Sequence, residues 1–128
     1  MKETTGQFQL KRCFVDAARG IKAVFKTEWN FRIHLSIFLI VVVLGFVFRI
    51  EPLEWIAVLL VSGIVLVAEV LNTAIEYLAD AVHPEADRGV GRAKDAAAGG
   101  VMMASIASVA VGAIVFLPKL WDWISNFN

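Results

Sequence analysis

Cysteine is almost missing from this sequence. Cys13 is the only one in 128 residues, so neither an internal disulfide nor a cysteine-histidine zinc knuckle can form. It reads as a small buried or interfacial thiol. Also missing are the glycine-lysine phosphate loop, the dinucleotide glycine fingerprint and the protein-kinase signatures, which sets aside the soluble folds those motifs mark. Net charge is absent too, since twelve basic residues balance twelve acidic ones; this argues against nucleic acid as a partner. No apolar run follows Lys2 closely enough to make a cleavable signal peptide.

What the chain has is apolar length. Hydrophobic residues make up 59% and charged residues 19%, and the charges are clustered, as in a small integral membrane protein rather than a soluble domain. A single all-α domain over 1–128 is expected, with an amphipathic surface helix at about 8–26 and spans at about 33–48, 55–80 and 96–117. Phe8, Phe14, Ala18, Ile21 and Phe25 make the apolar face of the surface helix, which reads as an anchor on the leaflet or a lid over a site. Pro52 sits in the turn before the second span, Trp55 suits its interface, and His83-Pro84 is expected to end it. Gly89 and Gly91 suggest a flexible turn before the third span, and Pro118 is expected to stop that span. Met102 and Met103 read as packing, and Gly100, Ala104, Ser108 and Gly112 as a face for close helix approach.

The basic residues give an orientation. Lys2, Lys11, Arg12, Arg19, Lys22, Lys26 and Arg32 precede the first span, and Arg88, Arg92 and Lys94 lie between the second and third. Arg49 and Lys119 alone occupy the opposite ends. By the positive-inside rule the N-terminus and the second connection are cytoplasmic.

The second span carries the chemistry. Glu69, Asn72, Glu76 and Asp80 fall at i, i+3, i+7 and i+11, on one helical face. Glu69 lies about 21 Å along the axis from Trp55, near the far edge of a hydrocarbon core roughly 30 Å thick, so the stripe runs from headgroup depth into water. An intramembrane carboxylate is costly and normally faces a partner, a cavity or a metal. With Glu28, Asp95, Lys94 and Arg32 the inventory is hard oxygen plus two cations, which suits Mg²⁺ and phosphates. A deep carboxylate suits a general base. These residue types allow lipid-directed phosphoryl transfer, an ion or proton pathway, or a structural polar seam. Three helices are too few to shield the stripe on all sides, so a homo-oligomer is expected.

The motifs themselves resemble those of the small bacterial membrane kinases of the diacylglycerol kinase and undecaprenol kinase family. The resemblance rests on F-x-x-A-x-x-G-I at Phe14–Ile21, E-x-N-F-R at Glu28–Arg32, E-x-L-N-T-A-I-E at Glu69–Glu76, Asp80, and A-K-D-A-A-A-G at Ala93–Gly99. It implies a homotrimer in the bacterial cytoplasmic membrane, with sites at subunit boundaries that use MgATP to phosphorylate a lipid alcohol at the cytoplasmic face. On matching positions it implies Glu69 as catalytic base with Asn72 beside it, and Glu28 and Glu76 as metal and nucleotide carboxylates. Lys94, Asp95 and Glu85 become nucleotide contacts. Arg32 lies near the lipid entrance and His34 joins it as a lipid-site residue. Asp16 and Ala86 stand where the diacylglycerol branch has aromatics, and Gln9 where a basic residue is common. His34, the K-D-A-A-A-G run and F-L-P-K at Phe116–Lys119 resemble the undecaprenol branch. The expected substrate is therefore undecaprenol, in lipid-carrier recycling; the alternative is diacylglycerol, in phospholipid biosynthesis. The rival of another class is a small transporter or polar-seam scaffold.

Overall fold

A computed structural model describes residues 3–82 and 87–126, with side chains from residue 9. These residues form four helices: α1 (Glu3–Thr27), α2 (Trp29–Val47), α3 (Pro52–Val82) and α4 (Arg88–Ser125). The last three are long and apolar enough to cross a membrane, so the all-helical membrane architecture is as expected. The central element is α3, with α4 along one side, α2 along another and α1 touching the α2 and α3 ends.

Each helix end has a local cause. The α1–α2 break falls at Glu28, whose backbone is extended (φ −93°, ψ 116°). At the far end of α2, Ile50 N donates to Gly45 O at 3.1 Å and Arg49 N to Phe46 O at 3.3 Å. This is the Schellman closure, and it places Arg49 in the left-handed region at φ 50°, a position glycine usually takes. Pro52 opens α3, where the missing N–H costs nothing, and Glu54 Oε2 accepts from Glu51 N at 2.7 Å as in a capping box. Asp87 caps α4, its Oδ1 accepting from Gly89 N at 2.7 Å and Val90 N at 3.0 Å.

That cap corrects the expected turn. With two orphan amides satisfied by Asp87, Gly89 and Gly91 are helical, and α4 starts at Arg88 rather than near Ala96. Nor does Pro118 stop the helix, which continues to Ser125. A proline removes one hydrogen bond and crowds the preceding turn; here the next residue, Lys119, anchors the continuation by pairing with Glu54 at 2.9 Å.

The buried core is small. Ile50, Val58 and Val115 pack with Val41, Phe48, Trp55, Val111 and Phe116 around them, so it sits at the end of the bundle opposite Glu28. Here α2 and α3 approach closely: a Cβ on Gly45 would lie 2.6 Å from Trp55 Cη2, and Phe46 tilts against the same indole at 4.9 Å. Gly100 and Gly112 face open space within the chain. Met102 and Met103 are likewise exposed rather than packed, as are Leu60, Ile64, Val67, Leu71, Ile106 and Ile114. So wide an apolar surface is stable only against hydrocarbon or another apolar chain. On α1, Phe14, Ile21 and Phe25 are exposed and Val24 is the buried contact, which leaves the predicted apolar face free of the bundle. Cys13 is exposed too.

Candidate active site

The deepest polar residues lie on one face of α3. Glu69 is 3% exposed, Asn72 8% and Thr73 1%, while Glu76 is half-buried and Asp80 exposed. The stripe thus grades from buried to solvent along the helix, as its spacing requires. The single chain buries Glu69 by itself, while the outer part of the stripe stays open. Thr73 returns its hydroxyl to Glu69 O at 3.0 Å, satisfying itself within the helix. Asn72 Nδ2 donates to Glu76 Oε1 at 2.9 Å, one turn further on. This leaves Asn72 Oδ1 buried without a partner, an acceptor waiting for a donor or a cation.

Glu28 reaches the stripe because the chain breaks there. At the break its carboxylate Oε1 accepts from Thr27 Oγ1 at 2.8 Å and from Tyr77 OH at 3.2 Å, the two hydroxyls lying side by side. Glu28 and Glu76 lie close enough to Glu69 for their charges to act on it. Lys94 pairs with Asp80 at 2.8 Å and also feels Glu76. A cation from α4 therefore sits over the outer part of the stripe.

Among the described residues no group of three or more His, Cys, Asp or Glu is placed to hold a metal. Glu28 and Glu76 each use only Oε1 in hydrogen bonds, and Asn72 Oδ1 is orphaned. A few carboxylate and amide oxygens are the donor type that fits Mg²⁺.

Other expected residues are placed differently. Arg32 donates to Phe25 O at 3.2 Å and Lys26 O at 2.9 Å and lies over the Trp29 ring at 5.2 Å. It satisfies carbonyls at the α1 end, a structural duty at the α1–α2 break, and makes no contact with Glu69. Asp95 is exposed at the start of α4 and is not bonded to the stripe among the described residues. Glu85 lies outside the described residues. His34 lines a cleft between α2, α3 and α4 with Ser62, Ser105 and Ser108.

Sequence reading missed Tyr77 and Thr27, which hold Glu28. Tyr77 was within reach of pattern: Glu69, Thr73 and Tyr77 recur at intervals of four and so share a face.

With this geometry in place, comparison with known proteins is informative. Residues 15–116 match the family model of prokaryotic diacylglycerol kinases. The chain is 38% identical to an undecaprenol kinase of Bacillus subtilis over 85% of this chain and 89% of that protein. It is 35% identical to a diacylglycerol kinase of Synechocystis over 79% of this chain, which covers 58% of that longer protein. A diacylglycerol kinase of Haemophilus influenzae is 32% identical over 91% of this chain and 99% of its own length.

Proposed function

This chain belongs to the prokaryotic diacylglycerol kinase family, and on that premise we propose which lipid it phosphorylates and how. It is an ATP-dependent lipid kinase, and the ion-pathway and scaffold readings of the carboxylate stripe fall away with that membership. The acceptor is undecaprenol, giving undecaprenyl phosphate; diacylglycerol, giving phosphatidic acid, is the second reading. Identity to the undecaprenol kinase over nearly its whole length favours the first. The observation that carries the kinase chemistry is Glu69, a carboxylate 3% exposed inside an apolar helix, with Asn72, Glu76 and Asp80 following it on the same face of α3.

Glu69 takes the proton of the lipid hydroxyl, whose oxygen bonds to the γ-phosphorus as the bond from phosphorus to the ADP oxygen breaks. Asn72 lies one turn from Glu69 and holds the carboxylate of Glu76. Glu28 and Glu76 would hold a Mg²⁺ ion, which would supply neutralisation of charge on the transferring phosphates. Lys94, on leaving Asp80, Asp95 and Glu85 contact the nucleotide. Arg32 and His34 flank the lipid. The protein sits in the bacterial cytoplasmic membrane with its N-terminus and α3–α4 connection in the cytoplasm, as the basic residues favour. It assembles as a homotrimer, which covers part of the apolar surface that α2 and α4 leave exposed.

Phosphate transfer from radiolabelled ATP by purified protein in micelles, with undecaprenol and diacylglycerol offered separately and in competition, tests the substrate. Preferential labelling of the prenol is expected. Preferential labelling of diacylglycerol would reverse the assignment.

A further inference from the structure

The end of α4 runs past the rest of the bundle. Lys119 pairs with Glu54 at 2.9 Å, which sets the two residues at one height. Beyond that pair α3 reaches only to Pro52, whereas α4 continues to Ser125, about 9 Å further at 1.5 Å per residue. The extension carries Leu120, Trp121, Trp123 and Ile124, all exposed, with Trp121 at 73% and Trp123 at 56%. It lies outside residues 15–116, which carry the family match, and it takes no part in the site on α3.

Helical register gives the extension two sides. At 3.6 residues per turn, Leu120, Trp121, Trp123 and Ile124 fall in one arc of about 160° and Lys119, Asp122 and Ser125 in the other. Because Lys119 reaches Glu54, the polar side is turned to α3 and the apolar side away from it. The apolar arc continues one that runs along α4 through Met102, Ile106, Val109 and Leu117, which are exposed as well. Along that face the residue type changes once. From Ala96 to Pro118 there is no charged residue and no tryptophan; then come Lys119 and two indoles. A seam between two copies gives no reason for indoles to begin at the height of Glu54 and Lys119, whereas a bilayer does, because hydrocarbon gives way there to headgroups. The lengths agree. A hydrocarbon core roughly 30 Å thick spans about 20 residues, which counted along α3 from Glu54 puts its other edge near Ala74, between Asn72 and Glu76. The headgroup layer is about 5–7 Å deep, and Trp121 and Trp123 stand about 3 and 6 Å past Lys119.

We propose that the last two turns of α4 dock on the phospholipid headgroups of the leaflet opposite the carboxylate end, with the indoles at the level of the lipid esters and phosphates. Tryptophan suits that place because its ring is apolar and its one N–H donates to a lipid oxygen. The only cation in the extension, Lys119, is already paired with Glu54, and Asp122 adds a negative charge. The surface therefore takes zwitterionic lipid and gains nothing from an anionic headgroup. Through the Glu54–Lys119 pair the contact also bears on α3, whose Glu69 stands about 22 Å further along the helix, so anchoring at one face holds the carboxylates at the other. The inference is independent of which alcohol the protein phosphorylates.

Depth-dependent quenching tests this on the full chain reconstituted in phosphatidylcholine vesicles. Trp29 and Trp55 are common to wild type and to the double variant Trp121→Phe, Trp123→Phe, so the difference in emission belongs to the α4 indoles. Most of that difference is expected to be lost to a nitroxide carried on the lipid headgroup, with much less lost to a nitroxide near the acyl-chain end or to aqueous iodide. Adding anionic phosphatidylglycerol is expected to leave the pattern unchanged. A second readout needs no variant. A phosphatidylcholine with a diazirine on its headgroup, photolysed with wild type, is expected to label the tryptic peptide that follows Lys119 more than the peptide between Lys94 and Lys119. Quenching by iodide alone puts the extension in water, stronger quenching from the acyl-chain end puts it in hydrocarbon, and quenching by none of the three puts it against a second copy; each overturns the proposal. Headgroup labelling confined to other peptides overturns it on the unaltered protein, and quenching that appears only with phosphatidylglycerol overturns the choice of zwitterionic lipid.

Discussion

Glu69 and Glu76 occupy the same stripe but not the same environment. Glu69 is closed in by α2 and α4 and Glu76 is half-open, so the first suits proton transfer and the second metal and phosphate. Replacing Glu69 with Gln keeps the shape and removes the base. Turnover is expected to fall by about 10²- to 10⁴-fold with MgATP binding retained, measured by transfer assay and nucleotide titration on the same preparation. Retained turnover would remove the assigned base. Tyr77 acts one step away, by fixing Glu28 Oε1. In Tyr77→Phe the ring remains but the donor is gone, so the Mg²⁺ concentration for half-maximal rate should rise about 2- to 10-fold, with the lipid KM unmoved. A Mg²⁺ titration checks this. The stripe itself was legible in the sequence, because 3.6-residue periodicity relates spacing to face. The Glu28 clasp was not, since it joins residues far apart in the chain.

At the scale of elements, the helices follow from local signals and their limits from contacts. Asp87 was legible as a capping type, but only the folded hairpin shows the helix starting behind it. Gly45 is the reverse case. It was one apolar-span glycine among others until α3 brought Trp55 against it. Gly45→Ala pushes a methyl into that indole, and overpacking of this kind is expected to destabilise the bundle by about 1–3 kcal/mol. Thermal unfolding of the variant in detergent, beside wild type, measures it; an unshifted midpoint would mean the α2–α3 contact yields freely. Arg49, in the left-handed region at the end of α2, adds strain at the same end, offset by the Schellman hydrogen bonds it allows.

For the whole molecule, the sequence offers a probe of orientation. Cys13 is the sole thiol and is exposed on α1. If the N-terminal helix lies on the cytoplasmic face, a membrane-impermeant maleimide labels Cys13 in inverted vesicles and leaves it unmodified in right-side-out ones. The opposite pattern would invert the topology and put the carboxylates outside. The sequence by itself determined the three spans and the carboxylate stripe, because hydropathy and helical periodicity are local and need no knowledge of neighbours, and the resemblance of its motifs pointed to the family. Only the tertiary structure decided that Glu28 is clasped by Tyr77 and that Gly45 packs against Trp55. Those facts depend on the register between antiparallel helices, which is set by long-range pairs such as Glu54–Lys119 and Asp80–Lys94 and leaves no periodic trace in the chain.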